Sequence, residues 1–143
     1  MFVGKYYNSI DSKSRLIIPA KFREDLGEEC IIALSLDKCL TIYPMEEWNK
    51  FLNELDELPK SNPKVRQLKR FYNTYAMKGD IDKQGRVTIS QELITMAKIQ
   101  KELVTMGSNK FIEVWSRESW DEQFIFDDEE LDDISKLAEE LGF

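Results

Sequence analysis

Short apolar runs separated by charged breaks open the chain, and the same rhythm returns after a helical middle. Phe2, Val3, Tyr6 and Tyr7 predict a first strand within Met1–Ile10, because aromatic and β-branched residues favour extended backbone. Asp11–Ser14 breaks it with side chains that hydrogen-bond the local backbone. Arg15–Ile18 resumes as a strand, and its Leu-Ile-Ile run suggests burial on both faces. Pro19 suits a helix start, and Lys21–Leu26 continues to Gly27, a natural C-cap. Cys30–Leu34 and Leu40–Tyr43 read as two more strands.

The period then changes. Trp48, Phe51, Leu52, Leu55 and Leu58 recur at helical spacing from about Met45. Pro59 to Pro63 interrupts the pattern, and Val65, Leu68, Phe71 and Tyr72 give a second helix. Beyond it the first half is replayed: strands at Met77–Ile81 and Arg86–Ile89, a short helix at Glu92–Lys98, strands at Glu102–Met106 and Phe111–Trp115. Ile10 matches Ile81, Asp11 matches Asp82, Arg15 matches Arg86 and Ile18 matches Ile89, a constant offset of 71 residues. The offset becomes 72 at Ile42 with Val114 and Trp48 with Trp120. An internal repeat fixes architecture before any one residue is interpreted. The expected class is therefore mainly β with short helices (α+β). Its parts are a first repeat at 5–47, a helical linker at 48–75, a second repeat at 76–119 and an acidic helical tail at 120–143. In the tail Leu131, Ile134, Leu137, Ala138 and Leu141 form an apolar stripe that needs the body or a neighbouring subunit to cover it.

Charge alters the picture more than composition does. The net charge is −7, which at face value disfavours a polyanionic partner. From Glu113 onward, however, there are 12 acidic and 2 basic residues, so residues 1–112 carry a net +3. Basic residues gather at Lys13, Arg15, Lys21 and Arg23, and again from Lys60 to Arg86. Attraction to a polyanion depends on patches within roughly a Debye length of 8–10 Å rather than on the total.

Several chemistries lack their residues. There is no histidine, so Ser-His and Cys-His nucleophiles are absent. The two cysteines, Cys30 and Cys39, sit in apolar surroundings with no spacing for a zinc site and read as small buried hydrophobes. No apolar stretch reaches the roughly 20 residues of a membrane span, and the N-terminus lacks a signal-peptide layout, which makes the cytoplasm the expected compartment. No catalytic residue, metal ligand or cofactor is assigned. An enzyme would rest on carboxylates such as Asp11 and Asp82, which are more simply turn formers.

The repeated Asp-x-x-x-Arg turn is the strongest chemical signal. Taken singly, its Asp and Arg read as an ion pair across a turn, worth under about 1 kcal/mol when exposed. Two copies, each with a lysine in the turn (Lys13, Lys83), admit a second reading. Arg is a planar fork and Lys a point charge, so paired tips at a fixed separation suit phosphates or guanine edges of a duplex. Lys21 and Arg23 divide between DNA contact and a solvated helix face. The linker cluster Lys64, Arg66, Lys69 and Arg70 reads as a solvated face, or as a surface for the acidic tail of a neighbour.

At these residues the chain resembles the MraZ family of bacterial transcriptional regulators, which share the SpoVT/AbrB-type swapped-hairpin fold. The match is carried by Met1-Phe2 with Gly4, Ile10-Asp-Ser-Lys-Ser-Arg15-Leu-Ile-Ile-Pro-Ala-Lys-Phe-Arg23, Asp82-Lys-Gln-Gly-Arg86, and Ile112-Glu-Val-Trp115 with Trp120. The resemblance implies two AbrB-like repeats forming one pseudo-symmetric β-barrel, a ring-shaped homo-oligomer, and sequence-specific binding of double-stranded DNA at promoter repeats of the division and cell-wall gene cluster. It further implies a nucleoid-associated location and a DNA-facing role for Arg15 and Arg86, beside which Lys13, Lys83, Lys21 and Arg23 are the other candidate contacts. Ser14 stands where the family favours glycine, while Gly85 keeps it; Ser90 replaces a frequent proline and can cap the next helix instead. Because the second copy has Glu92 and Ile94 at the positions equivalent to Lys21 and Arg23, the first copy is expected to be the stronger DNA contact. The alternative is an oligomeric protein-interaction scaffold or a nonspecific nucleoid protein.

Overall fold

Apolar strand segments and side-chain caps at four of the six helices shape the local structure in the computed structural model, which describes residues 1–143. The first half contains β1 (Lys5–Ser9), β2 (Arg15–Ile17), α1 (Ala20–Leu26), β3 (Glu29–Leu34), β4 (Leu40–Pro44) and α2 (Met45–Asp56). After α3 (Pro63–Thr74) come β5 (Ala76–Asp80), β6 (Arg86–Thr88), α4 (Gln91–Met96), β7 (Glu102–Ser108), β8 (Phe111–Ser116) and α5 (Arg117–Gln123). The chain ends with α6 (Asp128–Glu140). The helix starts follow side-chain chemistry. Asn62 accepts from the Lys64 N–H at 2.9 Å with Pro63 in the first turn, Ser90 accepts from Leu93 at 3.3 Å, and Asp127 accepts from Glu130 at 2.9 Å.

Six strands make one antiparallel sheet in the order β1-β7-β8-β4-β3-β5, and β2 pairs only with β6. The first strand of each half lies on the hairpin of the other half: β1 on β7, and β5 on β3. The class is thus α+β, mostly antiparallel sheet with short helices, but the expected barrel is not closed. The reason lies in the charged turns. After Asp11–Ser14 the chain touches its own entering strand at a single bridge, Ile10 opposite Leu16, and then departs. β2 and β6 therefore leave the sheet and form a separate ribbon, and β1 and β5 remain as its two ends.

The ribbon, with α1 and α4, covers one face of the sheet. Leu16, Ile18, Val87, Ile89, Phe22 and Leu93 meet Ile32, Leu40, Ile42, Leu103, Ile112 and Val114 in the main core. Truncating a fully buried side chain such as Leu16 to alanine typically costs about 2–5 kcal/mol. The other face carries two smaller clusters: Trp48 of α2 on Ile31 and Ala33, and Trp120 of α5 on Trp115, Val104 and Cys39. Both cysteines are buried and unpaired; burial pushes each thiol up to about 12, so neither is a reactive thiolate. No helix is long and apolar enough to cross a membrane.

The Leu16-Ile17-Ile18 run is buried on one face only, not on both as its composition suggests. Leu16 and Ile18 are fully buried, but Ile17 between them is 50% exposed. A two-stranded ribbon lying on a core has one wet face, and period two puts Ile17 on it.

Candidate nucleic-acid interface

Both charged turns are built by one carboxylate. Asp11 Oδ1 accepts from the backbone N–H groups of Lys13 and Arg15, each at 2.9 Å, and Oδ2 accepts from Arg15 Nε at 2.7 Å. Asp82 does the same for Gln84 N–H, Arg86 N–H and Arg86 Nε, all at 2.9 Å. The main chain closes each turn as well: Ser14 N–H donates to Asp11 O at 3.0 Å, and Gly85 N–H to Asp82 O at 2.9 Å. Hydrogen bonds to an ionised carboxylate favour the charged form. The Arg15 N–H first, then the Arg15 guanidinium and the Lys13 N–H, hold Asp11 below its ordinary 3.8. The Arg86 N–H, its guanidinium and the Gln84 N–H do the same for Asp82.

Each arginine thus has its Nε fixed inside its own turn, while its terminal nitrogens make no other hydrogen bond within the chain. The side chains of Arg15 and Arg86 keep 28% and 26% of their surface. This is the ion pair of the plain reading, and it also presents the outer edge of a planar fork to solvent.

The ribbon then brings the arginines together. Arg15 pairs with Thr88, Leu16 with Val87 and Ile17 with Arg86. Since Leu16 and Val87 face the core, Arg15, Ile17, Arg86 and Thr88 share the outer face. Arg15 and Arg86 stand on its diagonal, about 7–8 Å apart at the backbone. The two turns are also tied across the ribbon: Ile18 N–H donates to Gly85 O at 2.8 Å, and Ile89 N–H to Ser14 O at 2.9 Å. Ile17 and Thr88 were not foreseen as part of this surface, because their exposure follows from a pairing between strands far apart in sequence.

The remaining candidates divide. Lys13 and Lys83 are exposed at the turn tips, and Lys21 is exposed on α1. Arg23 is not a free cation on a helix face. Its Nε donates to Ile18 O at 2.9 Å and the guanidinium lies over Gly85, where an added Cβ would collide with Arg23 Nε. Hence α1, from the first half, roofs the turn of the second half. Gly85 adopts φ 79° and Ser14 φ 60°, so both turns need the left-handed region, and only one has the residue that enters it freely. The matching position to Arg23 is Ile94, which is buried in the main core.

The linker cations Lys64, Arg66, Lys69 and Arg70 lie on α3, in which no residue is fully buried. No group of His, Cys, Asp and Glu is arranged to hold a metal.

Comparison with known proteins bears on this surface. A family model described as "MraZ protein, putative antitoxin-like" matches residues 1–71 and 74–141. The chain is 46% identical over 144 residues to a curated protein of Clostridium tetani named transcriptional regulator MraZ, covering 99% of each. It is 41% identical over 142 residues to the protein of that name from Clostridium acetobutylicum, covering 99% of this chain and 97% of that one. To the counterpart from Halothermothrix orenii it is 40% identical over 142 residues, covering 99% of each.

Proposed function

The chain belongs to the MraZ family, and from that membership we propose that it is a transcriptional regulator that binds duplex DNA through the outer face of its β2–β6 ribbon. The relatives are named for regulation and not for catalysis, and no enzymatic step is assigned to this chain. The observation that carries the reading is the pair of turns with matching hydrogen bonds, each presenting one arginine fork on the same face. A two-stranded ribbon fits the major groove, and an arginine fork suits guanine edges or phosphate. In this reading Arg15 and Arg86 read bases, Lys13, Lys83 and Lys21 neutralise phosphate, and Arg23 contributes by holding the second turn in shape.

The two halves act as copies of one unit, residues 5–47 and 76–119, related by a pseudo-two-fold axis. Three features support this. The strand order is symmetric when each strand is exchanged for its counterpart, the counterparts Leu16 and Val87 are paired directly, and so are Thr41 and Glu113. One ribbon makes few base contacts, so affinity comes from several subunits of a ring-shaped oligomer on promoter repeats, where linkage raises effective concentration. The target is sequence-specific, in the division and cell-wall gene cluster, and the protein works in the cytoplasm at the nucleoid.

The test is titration of labelled upstream DNA of its own operon against random duplex. Arg15→Ala and Arg86→Ala should each weaken binding about tenfold or more and flatten the slope of log K against log salt. Unchanged affinity and slope in both variants would remove the ribbon from the mechanism. Equal binding to random duplex would favour a nonspecific nucleoid protein instead.

A further inference from the structure

One helix of the chain lacks a partner. In α6 no residue is buried, and Leu131, Ile134, Leu137 and Leu141 are between 44% and 65% exposed. These four recur at helical spacing and form one stripe. The helix is nonetheless well started: Asp127 caps it, and Phe126 N–H donates to Glu130 Oε2 at 3.0 Å. Its base is anchored too, because Phe124 packs on Trp115 and Trp120 with ring centroids 4.9 and 4.6 Å apart. An ordered amphipathic helix held at its root, with its apolar face in water, is poised for docking.

The same chain carries a groove of matching character. A cavity of about 310 Å³ is lined by Leu34, Leu36, Phe71 and Met96, with Lys38 and Lys98 among its polar residues. Leu36 is 65% exposed, although it sits on a tightly held turn. Ser35 Oγ accepts from the N–H groups of Asp37 and Cys39, each at 3.2 Å, and Ser35 N–H donates to Cys39 O at 2.9 Å. Phe71 belongs to α3, which carries four cations and no acidic residue. The helix α6 carries seven acidic residues and one lysine. Asp133 and Glu140, seven residues apart, flank its stripe along one edge.

We propose that the α6 stripe of one copy docks in the Leu36–Phe71–Met96 groove of a second copy, its acidic edge meeting Lys38 and Lys98. The occupant is a second copy because helix and groove match in apolar character and are opposite in charge. Two α6 helices would instead repel each other. A contact between two different surfaces is heterologous, so it propagates from copy to copy and closes when the rotation per subunit allows. This inference rests on the oligomeric part of the reading above and supplies its interface.

The experiment measures the mass of the full-length chain by light scattering across a dilution series, at low and high salt. Lys38→Glu with Lys98→Glu should raise the dissociation constant roughly tenfold or more, as should Asp133→Lys with Glu140→Lys. Combining all four should restore assembly, and Leu137→Asp should abolish it, each with unchanged far-ultraviolet dichroism. Restoration by the combined charge swap supports the proposal. A wild-type oligomer whose mass none of these changes alters overturns this interface alone, whereas a wild-type monomer at every concentration overturns the oligomeric reading with it.

Discussion

At Asp11–Arg15 and at Asp82–Arg86 the same three donors meet the same carboxylate, at distances between 2.7 and 2.9 Å in both turns. What differs is the residue before each arginine and what lies over it. Gly85 is roofed by the Arg23 guanidinium, while Ser14 keeps its side chain and its strain. Lys21 and Arg23, which have no basic counterpart in the second half, therefore do not both add charge to the first turn. Because strands are exchanged between halves, one of the extra cations, Arg23, is delivered to the second turn and used as a lid. A local charge count assigns side chains to the wrong neighbour when the neighbour comes from elsewhere in the chain.

Substitutions at the paired positions break this comparison most strongly at Gly85. Gly85→Ser should destabilise the fold by about 2 kcal/mol, because a Cβ at φ 79° is strained and displaces Arg23 from Ile18 O. Denaturant midpoints of Gly85→Ser, Arg23→Ala and the double variant check the cause. The serine should cost less once Arg23 is gone, and strictly additive losses would show that the lid is irrelevant.

A smaller effect of opposite sign is expected in the other turn. Ser14→Gly should stabilise the protein by up to about 1 kcal/mol, since glycine enters the left-handed region at φ 60° without penalty. A lower melting temperature for this variant would mean that Ser14 is held by contacts that outweigh its strain.

The smallest effect sharpens what the turns share. Both carboxyls are held below 3.8, so each contributes stability that is fully present above that value and is lost as pH falls through the lower folded value. Asp11→Asn and Asp82→Asn should each remove a similar part of the acid-side loss below pH 3.8, with no change in pH dependence near neutrality. Carboxyl chemical shifts followed by NMR would register the two titrations directly. A normal value at either turn would end the equivalence.

Much of this surface was legible in residue order alone. The Asp-x-x-x-Arg turn is complete within five residues, and its capping needs nothing from the rest of the chain. Strand and helix periods, the Ser90 cap, the buried cysteines and the 71-residue echo are likewise local or additive properties. Tertiary structure decided which strand lies beside which: β2 against β6, β1 against β7, and an open sheet with a covering ribbon in place of a closed barrel. It also decided that Ile17 faces water and that Arg23 covers Gly85. The physical reason is common to all of these. Hydrophobic period and turn chemistry act over a few residues, whereas strand pairing is a competition among distant partners with similar backbone hydrogen bonds, and only the shared core selects the winner.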